Sequence, residues 1–217
     1  GIRDVRRSGG LGDVYKRHDI GIWAVGNSPV KSNKDNVGSV NENIKIDNLK
    51  KVNEAVQIPI SVNSSLVKIN SEVKIFPMKN YSLEGLYESN GMLCTQCEPE
   101  GFRKITWFPD RPDSLSVFTV RIEAPCKFNT ILSNGNLINE GTLKSKDKKS
   151  YRIFKVWHDP FPKPSYLFAL VVGKLELSQS NFVTLHNKKI DLKIYTEIGN
   201  KHLTHFAMKS LKNAMKW

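Results

Sequence analysis

The sequence predicts a mainly β protein, an antiparallel sandwich or saddle-like domain closed by one helix, and three observations carry that prediction. Apolar and polar residues alternate in several separate segments; Gly, Asn and Pro punctuate them; and a three-and-four apolar period sets in only near the C-terminus.

The elements follow in order. Residues 1–43 are rich in Gly, Ser and Asn, with no sustained period, and are expected to be loop-like, with a short strand around Ile20 to Val25. The β domain is expected over 44–198. Val67, Ile69, Val73 and Ile75 recur at even spacing, as in a strand with one buried face. Phe118, Val120, Ile122 and Ala124 alternate with Thr119, Arg121 and Glu123, a second half-buried strand. Thr130 to Ser133 leads into Asn134-Gly135, a turn dipeptide because both residues tolerate positive φ. Tyr151 to Trp157 reads as another strand.

Pro160, Pro162 and Pro164 lack N–H donors and fix φ, so the chain there is extended and excluded from helix and central sheet. The segment suits either a ligand for a proline-recognising module or a rigid lead-in to the next strand, and the lead-in is favoured. That next strand, Tyr166 to Val172, is apolar on both faces and expected to be deeply buried. Ile190, Leu192 and Ile194 alternate with Asp191, Lys193 and Tyr195 in the last strand. Beyond it, Leu203, Phe206, Ala207, Ser210, Leu211, Ala214 and Met215 form the apolar stripe of an amphipathic helix, with Asn200 as its expected N-cap. No stop signal follows, so residues 199–217 are expected to be the cut-off start of a further domain.

Composition bounds the function. The chain has 217 residues, 39% hydrophobic and 25% charged, ample for a globular core. Its longest apolar run, Tyr166 to Val172, falls far below the ~20 residues of a membrane helix, and no secretory signal opens the chain. A cytoplasmic protein with no membrane partner is expected. Three cysteines argue against a secreted disulfide scaffold. The pair Cys94 and Cys97 fits a redox dithiol or half a zinc site, but reduced thiols without metal are preferred, since a structural zinc needs four ligands. The net charge of +12 would suit a nucleic-acid binder. Its lysines are scattered over different elements, however, so a solvated basic surface is expected and no nucleic-acid partner.

A resemblance supplies a function. Leu83-Glu84-Gly85-Leu86-Tyr87, the run Cys94-Thr95-Gln96-Cys97-Glu98-Pro99-Glu100-Gly101-Phe102-Arg103 and the run Ile105-Thr106-Trp107-Phe108-Pro109-Asp110-Arg111-Pro112-Asp113 resemble the aminopeptidase N family of zinc metallopeptidases, especially its bacterial branch. So do Leu132 to Asn136, Asp159 to Leu170 and Ala207 to Trp217, in the same order. The motifs run from about Val56 to Trp217, and the chain departs from the family's opening strands before that.

The resemblance implies a zinc exopeptidase releasing single residues from peptide N-termini, with its β domain packed on a thermolysin-like catalytic domain. It places Gln96 and Glu98 at the substrate-binding positions for the free α-amino group. A carboxylate and an amide oxygen match an ammonium, whereas an internal peptide nitrogen would leave the carboxylate unpaired. A solvated Glu98, or one paired with Arg103, is the competing reading. The resemblance also implies a cis bond after the amine-binding acid, here Glu98-Pro99, and Cys94 and Cys97 packing beneath the loop.

No His-Glu-x-x-His and no Gly-x-Met-Glu-Asn occurs. Hence zinc is expected in the full-length parent and none in this piece, which should carry no catalytic or metal residues and be inactive alone. Its expected partners are peptides with free N-termini and the missing catalytic domain. A β-sandwich module that binds peptides or proteins without catalysis is the alternative.

Overall fold

The computed structural model describes residues 21–27, 50–52, 55–57, 71, 73–144 and 150–217, the first three segments by backbone alone. In chain order the strands are β1 (Gly21–Asn27), β2 (Lys50–Val52), β3 (Ala55–Gln57), β4 (Gly85–Ser89), β5 (Met92–Gln96) and β6 (Ser116–Pro125). Then come β7 (Thr130–Ser133), β8 (Asn136–Lys144), β9 (Tyr151–Lys163), β10 (Leu170–Gly173), β11 (Leu175–Val183) and β12 (Lys189–Glu197), followed by helix α1 (Thr204–Ala214).

Two antiparallel four-stranded sheets form the body, ordered β1-β6-β9-β8 and β4-β5-β10-β7. Two hairpins, β11–β12 and β2–β3, stand beside them. The alternation in β6 is realised strictly, with every second residue from Ser116 to Ala124 buried. Its Phe118, Val120, Ile122 and Ala124 join Leu86, Leu93, Ile131, Leu170 and Val172 of the other sheet in one core. Each such aliphatic or aromatic side chain contributes about 1.5–3 kcal/mol when fully buried. The sandwich expectation holds.

The strand expected near Ile20 to Val25 exists as β1, paired along its length with β6. Val67 and Ile69 lie outside the described residues. Val73 and Ile75 belong to irregular chain rather than a strand, with Ile75 packed against the core.

The proline segment is extended, as expected, yet it continues β9 within the sheet. Asp159 and Lys163 still pair with β6, across an irregularity between Ser116 and Phe118, while β8 stops pairing at His158. Pro160 and Pro162 therefore sit where one side of the strand has no neighbour, the position a missing donor tolerates. The buried strand expected over Tyr166 to Val172 is shorter. Residues Ser165–Leu167 form a 3-10 turn and Leu167 is exposed, so only Leu170–Gly173 is strand, with Leu170 and Val172 fully buried.

The chain bends at Asn134-Gly135, where a turn was expected, and passes from β7 in one sheet to β8 in the other. Gly135 alone of the two has positive φ, 82°. A Cβ there would meet the His158 carbonyl oxygen at 2.2 Å, a contact only glycine avoids. Asn134 uses its side chain instead, donating to the Leu167 carbonyl at 3.0 Å and accepting from the Ala169 amide at 2.6 Å.

The amphipathic helix is present as α1, resting on the β11–β12 hairpin. Its entry differs from expectation. Asn200 precedes a 3-10 turn, Lys201–Leu203, and makes no side-chain capping bond. Thr204 anchors the helix instead, donating to the Lys201 carbonyl and meeting the Ser178 hydroxyl, both at 2.7 Å. Phe206, a member of the apolar stripe, is 78% exposed.

Candidate functional site

The site begins where β5 ends. Gln96, its last residue, lies opposite Gly85 on β4, and the chain then turns sharply. The Gly101 amide donates to the Glu98 carbonyl at 2.7 Å, closing a four-residue turn from Glu98 to Gly101. Pro99 occupies the second position and Glu100, at φ 79°, the third. Pro followed by a positive φ marks a type II turn. A non-glycine residue there costs on the order of 1 kcal/mol.

The expected cis Glu98-Pro99 bond is absent: no cis peptide bond occurs among the described residues. Turn geometry explains the correction. Proline at the second position fits a type II turn with an ordinary trans bond, whereas a cis proline belongs at the third position of a type VI turn.

Packing holds this turn against the sandwich. Gly101 is buried so tightly that a Cβ would stand 2.9 Å from the Gln96 carbonyl oxygen. Phe102, 1% exposed, inserts among Phe108, Phe118 and Phe168 with edge-to-face contacts to Phe108 at 5.0 Å and Phe168 at 5.1 Å. Such pairs add about 0.5–1.5 kcal/mol beyond burial. Cys97 is buried under the loop and Cys94 half-buried, in line with the packing role the resemblance implies. Burial first, and then the nearby Asp110 carboxylate, push the Cys97 thiol up to about 12. It stays a neutral thiol across physiological pH, unlike a reactive or metal-binding cysteine.

Arg103 and Asp110 complete the fastening. The Asp110 carboxylate accepts from the Arg103 amide at 2.9 Å and from Arg103 Nε at 3.2 Å, and its backbone carbonyl accepts from Arg103 Nη2 at 2.9 Å. Ser165 Oγ donates to the other carboxylate oxygen of Asp110. Arg103 also faces Glu100 at 3.5 Å, while Lys104 pairs with Glu84.

Both predicted substrate residues emerge from this frame exposed. Among the described residues, Gln96 and Glu98 make no side-chain hydrogen bond or ion pair. The competing Glu98–Arg103 pair is not formed, since Arg103 is taken by Asp110 and Glu100. Sequence reasoning identified the two exposed residues and missed the buried ones behind them. Asp110 and Ser165 stand 55 positions apart, and nothing local joins them.

The described histidines do not gather. His158 Nδ1 meets Thr119 Oγ1 at 2.9 Å, His202 Nδ1 meets the Gly199 carbonyl at 2.9 Å, and His202 and His205 are exposed. Among the described residues no group of three or more His, Cys, Asp or Glu is placed to hold a metal ion. No described helix is long and apolar enough to cross a membrane.

A β-sandwich bearing such a loop, with these motifs in order, is that of a metallopeptidase N-terminal domain. Residues 18–167 match the family model of the Peptidase M1 N-terminal domain, and the chain belongs to that family. The match begins well before Val56, where the motifs first become legible, and takes in β1.

Among its relatives, aminopeptidase N of Caulobacter vibrioides is 46% identical over 164 residues, covering 76% of this chain and 18% of that protein. Aminopeptidase N of Escherichia coli is 46% identical over 152 residues, 70% of this chain and 17% of that one. The crystal structure of Legionella pneumophila aminopeptidase A in complex with aspartic acid superposes with a TM-score of 0.69 at 27% identity. That superposition covers 95% of this chain and 23% of the other. The chain thus spans less than a fifth of the length of the curated relatives it matches.

Proposed function

We propose that this chain is the N-terminal part of a zinc-dependent aminopeptidase, and that Gln96 and Glu98 receive the α-ammonium group of the peptide substrate. One observation carries the reading: Glu98 is an exposed carboxylate without a partner among the described residues, on a turn closed by a backbone hydrogen bond and flanked by the buried Cys97 and Gly101. An ammonium is a full charge with several donors. Glu98 offers it a charged acceptor, and the Gln96 amide oxygen a second, neutral one.

Charge-assisted bonds of this type contribute about 1.5–3 kcal/mol each, and more once a substrate excludes water. An acylated or internal nitrogen lacks the charge, so its burial against Glu98 would strand the carboxylate. Selection for the peptide end follows from that asymmetry. The turn supplies the pre-organisation, because its geometry is set before substrate arrives.

Zinc belongs to this reading only through the whole peptidase. The sequence contains no His-Glu-x-x-His, and the described residues do not fit a metal, so the residues holding it are assigned to parts of the relatives that this chain does not match. The piece alone is expected to be inactive, and the whole protein to work in the cytoplasm on peptides with free N-termini.

The test is Glu98→Ala in the whole peptidase, assayed on matched free and N-acetylated peptides. Loss of one charged contact should lower kcat/KM on the free peptide by about 10- to 100-fold. It should also narrow the preference over the acetylated one. Unchanged kinetics on both would end the assignment.

A further inference from the structure

We propose that Asp110 is a positioning residue for this site: it holds the Arg103 guanidinium away from Glu98, so that the carboxylate stays open for an ammonium. The inference rests on the amine-binding reading above and goes beyond it, since it concerns residues that touch no substrate.

The loop carries two cations of its own, Arg103 and Lys104, within six residues of Glu98. Either would neutralise Glu98 and compete with substrate. Both are committed elsewhere: Lys104 to Glu84, and Arg103 to Asp110 with Glu100 beside it.

Magnitudes decide why Arg103 chooses Asp110. An exposed pair with Glu98 would gain little, because solvent screens it. Asp110 is 7% exposed and receives the Arg103 amide and Nε on one oxygen, while Nη2 reaches its carbonyl. Charged hydrogen bonds in such a setting exceed an exposed pair. Ser165 Oγ, donating to the second oxygen, keeps the carboxylate turned toward Arg103. The buried acid therefore outcompetes the exposed one, and the exposed one is left uncompensated.

The experiment measures kcat and KM in the whole peptidase on a free-N-terminal dipeptide substrate, for Asp110→Asn, Arg103→Gln and the double variant. Asp110→Asn removes the charged acceptor that holds the guanidinium, which should raise KM about fivefold, near the ceiling for competition by an exposed ion pair, with kcat changed less than about twofold. The double variant, having no guanidinium to release, should return KM to within about twofold of wild type. A double variant no better than Asp110→Asn would overturn the proposal, because the rise in KM would then not come from the freed guanidinium.

Arg103→Gln alone keeps the test alive if Asp110→Asn does not fold. It should leave KM within about twofold of wild type; a KM lowered threefold or more would mean Arg103 already occupies Glu98, and would sink the proposal. Glu98→Gln in the same assay separates the two levels. Unchanged KM there removes the amine reading and this proposal with it. Raised KM without rescue in the double variant removes this proposal alone.

Discussion

The turn after β5 and the helix after β12 are both surface elements, yet they are held in opposite ways. The turn Glu98 to Gly101 continues into Phe102, which is buried in an aromatic cluster, and into Arg103, which is bonded to a buried aspartate. Helix α1 buries one residue, Thr204, and leaves Phe206 outward. A surface segment inherits order from the few side chains it sends inward. One aromatic and one carboxylate make an irregular turn firm, while eleven helical residues with a single buried hydroxyl rest on their hairpin more lightly.

The sharpest way to break that contrast is Phe102→Ala. It should cost about 3–5 kcal/mol by denaturant unfolding, because the cavity opens among three other aromatic rings. A cost under about 1 kcal/mol would mean the turn is not fastened through this residue.

Cys97 gives a second handle on the same region. A thiol titrating at about 12 rather than an ordinary value near 9 carries about a thousandfold less thiolate at pH 8. Alkylation followed by mass spectrometry should therefore label the exposed Cys126 long before Cys97. The raised value also fixes the sign of the pH dependence. The stability it contributes is full below about pH 9 and drains away as pH rises toward 12. Comparable labelling of both thiols in the native protein would contradict the packing beneath the loop.

On the helical side the effects are smaller. Thr204→Val removes the hydroxyl that joins Ser178 and the Lys201 carbonyl, at a cost of about 1 kcal/mol in urea melts. Smallest of all, Phe206→Ala should shift this chain's stability by less than about 0.5 kcal/mol, since the ring already faces solvent. A loss near that of Phe102→Ala would erase the distinction between the two regions.

Much of this architecture was legible beforehand, and the exceptions share a cause. Alternation over Phe118 to Ala124 identified β6 and its inward face, because side-chain direction in a strand is a local, period-two property. Tyr166 to Val172 misled because unbroken apolarity has no period; a local 3-10 turn, and Asn134 bonding to Leu167 and Ala169 from a distant part of the chain, set where that strand begins. Asn134-Gly135 was legible as a turn, but the dipeptide reports only its own backbone, not which sheet the next strand joins. Gln96 and Glu98 were found through motif order, whereas Asp110 and Ser165, the buried pair behind them, were not singled out.

Residue order alone was enough to settle that the chain is mainly β, which face of β6 turns inward, where the helix lies and which family the motifs belong to. Folding had to decide which acid Arg103 would bind, that Pro99 follows a trans bond in a type II turn, and that Phe206 points to solvent. Those outcomes turn on which groups the packed structure buries or leaves to solvent. Burial, which no stretch of sequence specifies for itself, determines which contact wins.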